Sequence, residues 1–95
     1  MSAYIIAYVD VTDAAKYEEY KKLSSRAIQE HGAEICVRGG KIEVLEGEWA
    51  PERIIVLKFK DMAAARAFYD SPVYVQGRQT RSEAAHMRMI IVDGF

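Results

Sequence analysis

Cysteine is almost missing from this chain: Cys36 stands alone among 95 residues, so no disulfide can form within it. Charge of one sign is missing too. Thirteen Lys and Arg are dispersed among 14 Asp and Glu for a net charge of −1, which leaves no electrostatic footprint for nucleic acid. Long apolar runs are absent. The first, "AYIIAYV", ends at Asp10, and no basic stretch precedes it, which argues against a secretory signal and a membrane span. A cytoplasmic protein is the expectation. Linkers, repeats and low-complexity stretches are also lacking, so residues 1–95 read as a single domain. Only two histidines occur, His31 and His86, and without metal-ligand spacing between them; neither a metal nor a cofactor is expected.

What is present is apolar: 51% of the residues are hydrophobic, too many for a disordered segment. A chain of this size buries only about 60–65% of the surface it exposes when unfolded, so a lone copy is marginal.

Residues 3–11, "AYIIAYVDV", are rich in β-branched and aromatic residues and predict a strand. Thr12 and Asp13 offer a helix cap. Tyr17, Tyr20, Leu23, Ser24, Ala27, Ile28 and His31 then recur at three- and four-residue spacing, the mark of an amphipathic helix that Gly32 would close. "EICV" (34–37), "KIEVL" (41–45) and "RIIVLKF" (53–59) follow as strand signals. Asp61 caps an alanine-rich helix, "MAAARAFY", and Ser71-Pro72 restarts a second one that runs to about Ala85. "MRMIIVDG" (87–94) closes as a strand.

Gly39-Gly40 decides how these pieces connect. As a hairpin it would place Val37 against Ile42 and Ile35 against Val44, but also Arg38 against Lys41, a like-charge pair. It would also put three strands between the helices and make the last two parallel to the first. As a bend within one strand spanning 34–46, it gives βαββαβ, a ferredoxin-like α+β fold with an antiparallel sheet and an extra helical segment. The bend is the expectation. A phosphate cradle is the third reading, and no helix N-terminus follows closely enough to support it.

Helices in such a fold cover one face of the sheet. The other is expected to carry Tyr4, Ile6, Tyr8, Ile54, Val56, Met87, Met89 and Ile91, with Ile90 and Val92 turned to the helices. A solvated antiparallel face should alternate to polar. An apolar patch this large calls for a partner, and the simplest is a second copy, a homodimer.

"VRGGKIEVLEGEWAPERIIVLKF", "ARAFYDSPVY" and the closing "IIVDG" resemble the family known as domain of unknown function 1330, in the dimeric α/β-barrel superfamily. The likeness spans the whole chain and rests on Arg38-Gly39-Gly40, Glu46-Gly47 with Trp49 and Pro51, and Tyr69-x-Ser71-Pro72-x-Tyr74. It implies a ferredoxin-like monomer and a dimeric α/β barrel, and no assigned activity. Val73 stands where such sequences commonly carry an acidic residue, so any carboxylate role there is in doubt for this chain.

Three groups of residues carry candidate chemistry. Tyr74, Arg78 and Arg81 share one helix face, two like charges that a carboxylate or phosphate would relieve, with Tyr69 and Ser71 adding hydroxyls nearby. The plainer reading is a cap at Ser71 and arginines in solvent or across a dimer. Tyr8, Cys36, Arg38, Glu43 and Lys58 form a second set on an apolar sheet face, as a small-ligand site or as polar groups satisfied at an interface. Cys36 also reads as a small buried hydrophobe. His86 is a weak candidate acid–base or haem ligand, His31 a helix-end cation, and Trp49 a dimer anchor or turn lid. These readings lead to a homodimer that binds a small anionic organic ligand through Tyr8, Arg38, Tyr69, Ser71, Tyr74, Arg78 and Arg81. Its enzymatic form would be a cofactor-independent isomerisation, oxygenation or degradation. The alternative is a non-enzymatic structural or interaction module.

Overall fold

A computed structural model describes residues 2–95. The elements run β1 (Ala3–Val11), α1 (Ala14–Glu30), β2 (Glu34–Arg38), β3 (Arg53–Phe59), α2 (Met62–Tyr69), α3 (Pro72–Arg81) and β4 (Ala85–Asp93). The strands form one antiparallel sheet in the order β2-β3-β1-β4, the βαββαβ arrangement with its second crossover split into two helices.

Local chemistry sets the helix ends. Asp13 accepts the Lys16 amide at 3.1 Å, Asp61 the Ala64 amide at 2.7 Å and Ser71 the Tyr74 amide at 3.3 Å, each satisfying an otherwise orphaned donor. Pro72 opens α3 where its missing N–H costs no bond. Gly32 takes φ 62° just past α1. Tyr17, Tyr20, Ser24, Ala27 and Ile28 are the buried stripe of α1. All of these but Ser24 pack with Phe68 and Tyr74 onto Ile5, Ala7, Val9, Leu57 and Phe59.

Three expectations need correction. The outer strand β4 is turned over relative to the sequence reading. Its register sets Met87 opposite Val9, Met89 opposite Ala7 and Ile91 opposite Ile5, so these three join the helix-facing core. Ile90 and Val92 lie instead on the open face, 55% and 41% exposed. The small side chains of Ala3 and Ala7 leave room beneath the helices, and long methionines on the neighbouring strand take it up.

The second correction concerns the end of α3, at Arg81 rather than near Ala85. The Ala84 carbonyl accepts the Thr12 and Asp13 amides at 2.8 and 3.0 Å, and Ala85 already pairs with Val11. The third is 41–45, which takes no place in the sheet. Gly39 and Gly40 make no hairpin. Gly39 gives its amide to the Ile54 carbonyl at 3.0 Å, turns at φ 70°, and the chain leaves the ladder. One strand, β2, therefore lies between α1 and β3, and the antiparallel topology follows as expected.

Candidate functional site

Two hollows lie beside the tyrosines and arginines of α3. The interior one lies between sheet and helices beside Tyr20, Ser24, Arg38, Tyr74, Met87 and Met89, and its volume is about 20 Å³. That is room for one water and no organic ligand. The outer one is a cleft of about 560 Å³, a volume within the range of small-molecule sites. Its walls are the end of β1 (Tyr8, Val9, Asp10), the start of β4 (Ala85 to Arg88), the last turn of α3 (Arg78, Arg81, Ser82) and the loop from Trp49 to Glu52.

Helical spacing delivers the two arginines together. Arg78 lays its guanidinium over the Tyr69 ring, 4.0 Å from the centroid, with its Nε buried and without a partner. Stacking uses the face of the guanidinium and leaves N–H edges for an in-plane acceptor. Arg81 donates to the Tyr74 hydroxyl at 3.2 Å and to the Met87 sulfur at 3.1 Å, with its guanidinium carbon 5.6 Å from the Tyr20 centroid. The Tyr74 hydroxyl in turn meets that of Tyr20 at 2.7 Å. Burial holds the Tyr74 phenol far above its ordinary range; the adjacent Tyr20 hydroxyl adds to this and Arg81 opposes it. It is a neutral hydrogen-bonding group, not a base.

Sheet register places the other wall. Tyr8 pairs with Arg88 and Asp10 with His86 across β1 and β4, all on the open face. Trp49 meets Tyr8 edge-on, centroids 5.5 Å apart at 86°. Arg78, Arg81 and Arg88 thus face the cleft with Asp10 and Glu52, and among the described residues none of the three has a carboxylate within 4.0 Å.

Of the residues singled out in the sequence, Tyr8, Arg78, Arg81 and His86 line the cleft, and Tyr69 and Tyr74 support it from behind. Two lie elsewhere. Ser71 is buried, donates to the Phe68 carbonyl at 2.8 Å and caps α3. Arg38 sits opposite Ile55 on the helix-facing side of β2, where it donates to the Ser25 hydroxyl at 2.8 Å, so it shares no face with Tyr8. The expected set of Tyr8, Cys36, Arg38, Glu43 and Lys58 is not assembled on one sheet face. A bulge at Cys36 shifts the register of β2, and Glu43 lies outside the sheet.

Trp49, Asp10, Glu52 and Arg88 were not singled out as ligand residues. Asp10 had a sequence signal, through alternation with Tyr8 in β1, and Arg88 follows by the same alternation once β4 is turned over. Among the described residues no three His, Cys, Asp or Glu side chains come together as a metal site requires, and no helix is long and apolar enough to cross a membrane.

The model of the family named domain of unknown function (DUF1330) matches residues 2–95, and the chain belongs to that family. No curated protein matches the sequence. Among solved structures, a protein of unknown function from Rhodopseudomonas palustris is similar at TM-score 0.79 and 17% identity, over 99% of this chain and 82% of that one. SnoaB, described as a cofactor-independent oxygenase from Streptomyces nogalater, is similar at TM-score 0.67 and 8% identity, over 99% and 93%. A dimeric protein of unknown function with a ferredoxin-like fold, from Bacteroides fragilis, is similar at TM-score 0.57 and 9% identity, over 98% and 96%. At these identities the likeness establishes the ferredoxin-like fold alone.

Proposed function

We propose that the chain works as a homodimer, packed through the open faces of two sheets, and binds a small anionic organic ligand in the cleft. The observation that carries the ligand reading is the set of three guanidiniums without carboxylate partners among the described residues, one with a buried, unpaired Nε. A buried N–H left without an acceptor costs about 1–3 kcal/mol, and a ligand oxygen would recover part of that. Dimerisation is supported by Tyr4, Ile6, Tyr8, Ile54, Val56, Ile90 and Val92 on a face that no helix covers. The Bacteroides fragilis relative, described as dimeric, is consistent with it. A cytoplasmic setting suits the exposed free thiol of Cys36.

The enzymatic form of this reading is a cofactor-independent isomerisation, oxygenation or degradation; of these, the oxygenation has a counterpart in SnoaB, described as a cofactor-independent oxygenase. Arg78 and Arg81 would stabilise negative charge developing on a bound oxygen, and exposed His86 would exchange a proton with solvent. Trp49 is the only tryptophan and lines the cleft, so its fluorescence reports occupancy. Titration with small carboxylates should change that signal, and Arg78→Gln with Arg81→Gln should weaken binding at least about tenfold, as loss of charge-assisted bonds does. A wild-type protein silent to every acid would end the ligand reading.

The non-enzymatic dimer module is the second reading, because Tyr8, Arg88 and Trp49 border the open face as well as the cleft. It differs in one outcome: Arg78→Ala and Arg81→Ala would then loosen the dimer and leave acid binding at zero.

A further inference from the structure

Arg81 is held from inside the protein. Among the described residues its side-chain hydrogen bonds go to the Tyr74 hydroxyl at 3.2 Å and the Met87 thioether at 3.1 Å. A guanidinium only donates, so the Tyr74 oxygen accepts from Arg81, and the same hydroxyl shares a hydrogen bond with that of Tyr20, 2.7 Å away, in which either oxygen can donate. A hydrogen-bond chain thus links Arg81, Tyr74 and Tyr20. Tyr74 and Tyr20 are 1% and 3% exposed and belong to α3 and α1, so the hydroxyl pair is fixed by the packing of two helices. Sulfur is a weak acceptor, which leaves the remaining Arg81 N–H groups available to the cleft.

The charges around the cleft also count the ligand's charge. Three guanidiniums, of Arg78, Arg81 and Arg88, face two carboxylates, of Asp10 and Glu52, a formal excess of one positive charge among these five groups. A monoanion balances that excess, whereas a dianion overshoots it. The Tyr8 and Trp49 rings, at right angles 5.5 Å apart, form an aromatic corner beside these groups. A flat ring has both a face and an edge to offer such a corner.

Resting on the ligand-binding reading above, we propose that the cleft takes an aryl carboxylate, and that the Tyr74–Tyr20 hydroxyl pair, without touching it, positions the Arg81 guanidinium to receive the carboxylate. Tyr74 and Tyr20 are positioning residues here, and Arg81 is the binding residue.

The test uses 4-nitrobenzoate, a Trp quencher, with cyclohexanecarboxylate and phenyl phosphate as the saturated and dianionic comparisons. Wild type should bind 4-nitrobenzoate at least about tenfold tighter than either. Tyr74→Phe keeps the ring and removes the hydroxyl. It should weaken 4-nitrobenzoate about tenfold in an otherwise native chain and cause no further loss beside Arg81→Gln, the non-additivity of groups acting through one another. Side-chain NMR of Arg81 should show restricted guanidinium rotation that Tyr74→Phe releases. If Tyr74→Phe fails to fold, Tyr20→Phe breaks the far link of the chain and should act in the same direction. Equal losses in the native and Arg81→Gln backgrounds, or unchanged Arg81 rotation, would overturn the positioning role. Equal binding of the three acids would overturn the ligand class. A wild type that binds none of them, with Arg81 still held, would remove the ligand reading and this inference with it.

Discussion

Gly39 answers for the Arg-Gly-Gly run at the level of single atoms. Its φ of 70° lies where an L-residue is strained, and the Arg53 guanidinium rests against the position a side chain would occupy. The glycine therefore serves the exit from β2 and the seating of Arg53. Gly39→Ala should cost about 1–2 kcal/mol, mostly from the left-handed backbone, because the flexible guanidinium can move aside. Chemical denaturation of the pair of proteins measures it. Buried phenols give a second expectation. Desolvation raises both Tyr74 and Tyr17 above the ordinary value of 10.0, against partial opposition from Arg81 and from Arg53 respectively. A raised folded pKa means stability that is whole below pH 10.0 and drains away as pH rises past it. In an alkaline titration, phenolate absorbance from these two should appear together with unfolding, and Tyr74→Phe should remove one such late phenol.

Among the elements, α3 connects the core to the cleft. Its first turn is fixed by Ser71, buried and bonded both to the Phe68 carbonyl and to the Tyr74 amide. Its last turn supplies Arg78 and Arg81. Ser71→Ala should cost about 1 kcal/mol in stability, by thermal melting, with the ligand-binding arginines left intact. The helical period made this element readable: Tyr74, Arg78 and Arg81 share a face because four and three residues are about one turn each. Strand β4 was harder. Alternation divides its residues into two sets but does not say which set meets the helices. Here the alanines of β1 decided it, by leaving space that Met87 and Met89 fill. The extent of α3 was hidden for a similar reason, since the Ala84 carbonyl bonds to Thr12 and Asp13, far away in sequence.

At the scale of the whole molecule, the extents of 34 × 33 × 16 Å describe a slab two layers deep, one sheet and one layer of helices. The topology could be read from the sequence because parity allows only one strand between α1 and β3 if the sheet is antiparallel. The cleft could be read only in part. Its α3 wall obeys a period, whereas Trp49 reaches Tyr8 from a loop that has none. The Tyr20–Tyr74 bond joins residues 54 positions apart, which no spacing rule anticipates. A slab of this kind leaves Ile6, Val56 and Ile90 on a face that water should not keep. The central claim is that a second copy covers it. Native mass spectrometry of the freshly purified protein tests that most directly, with Ile6→Lys measured beside it. The account predicts a species of twice 10.8 kDa, carrying a small adduct that denaturation removes, and a monomer for the variant. A wild type that flies as a bare 10.8 kDa monomer at the same concentration would contradict it.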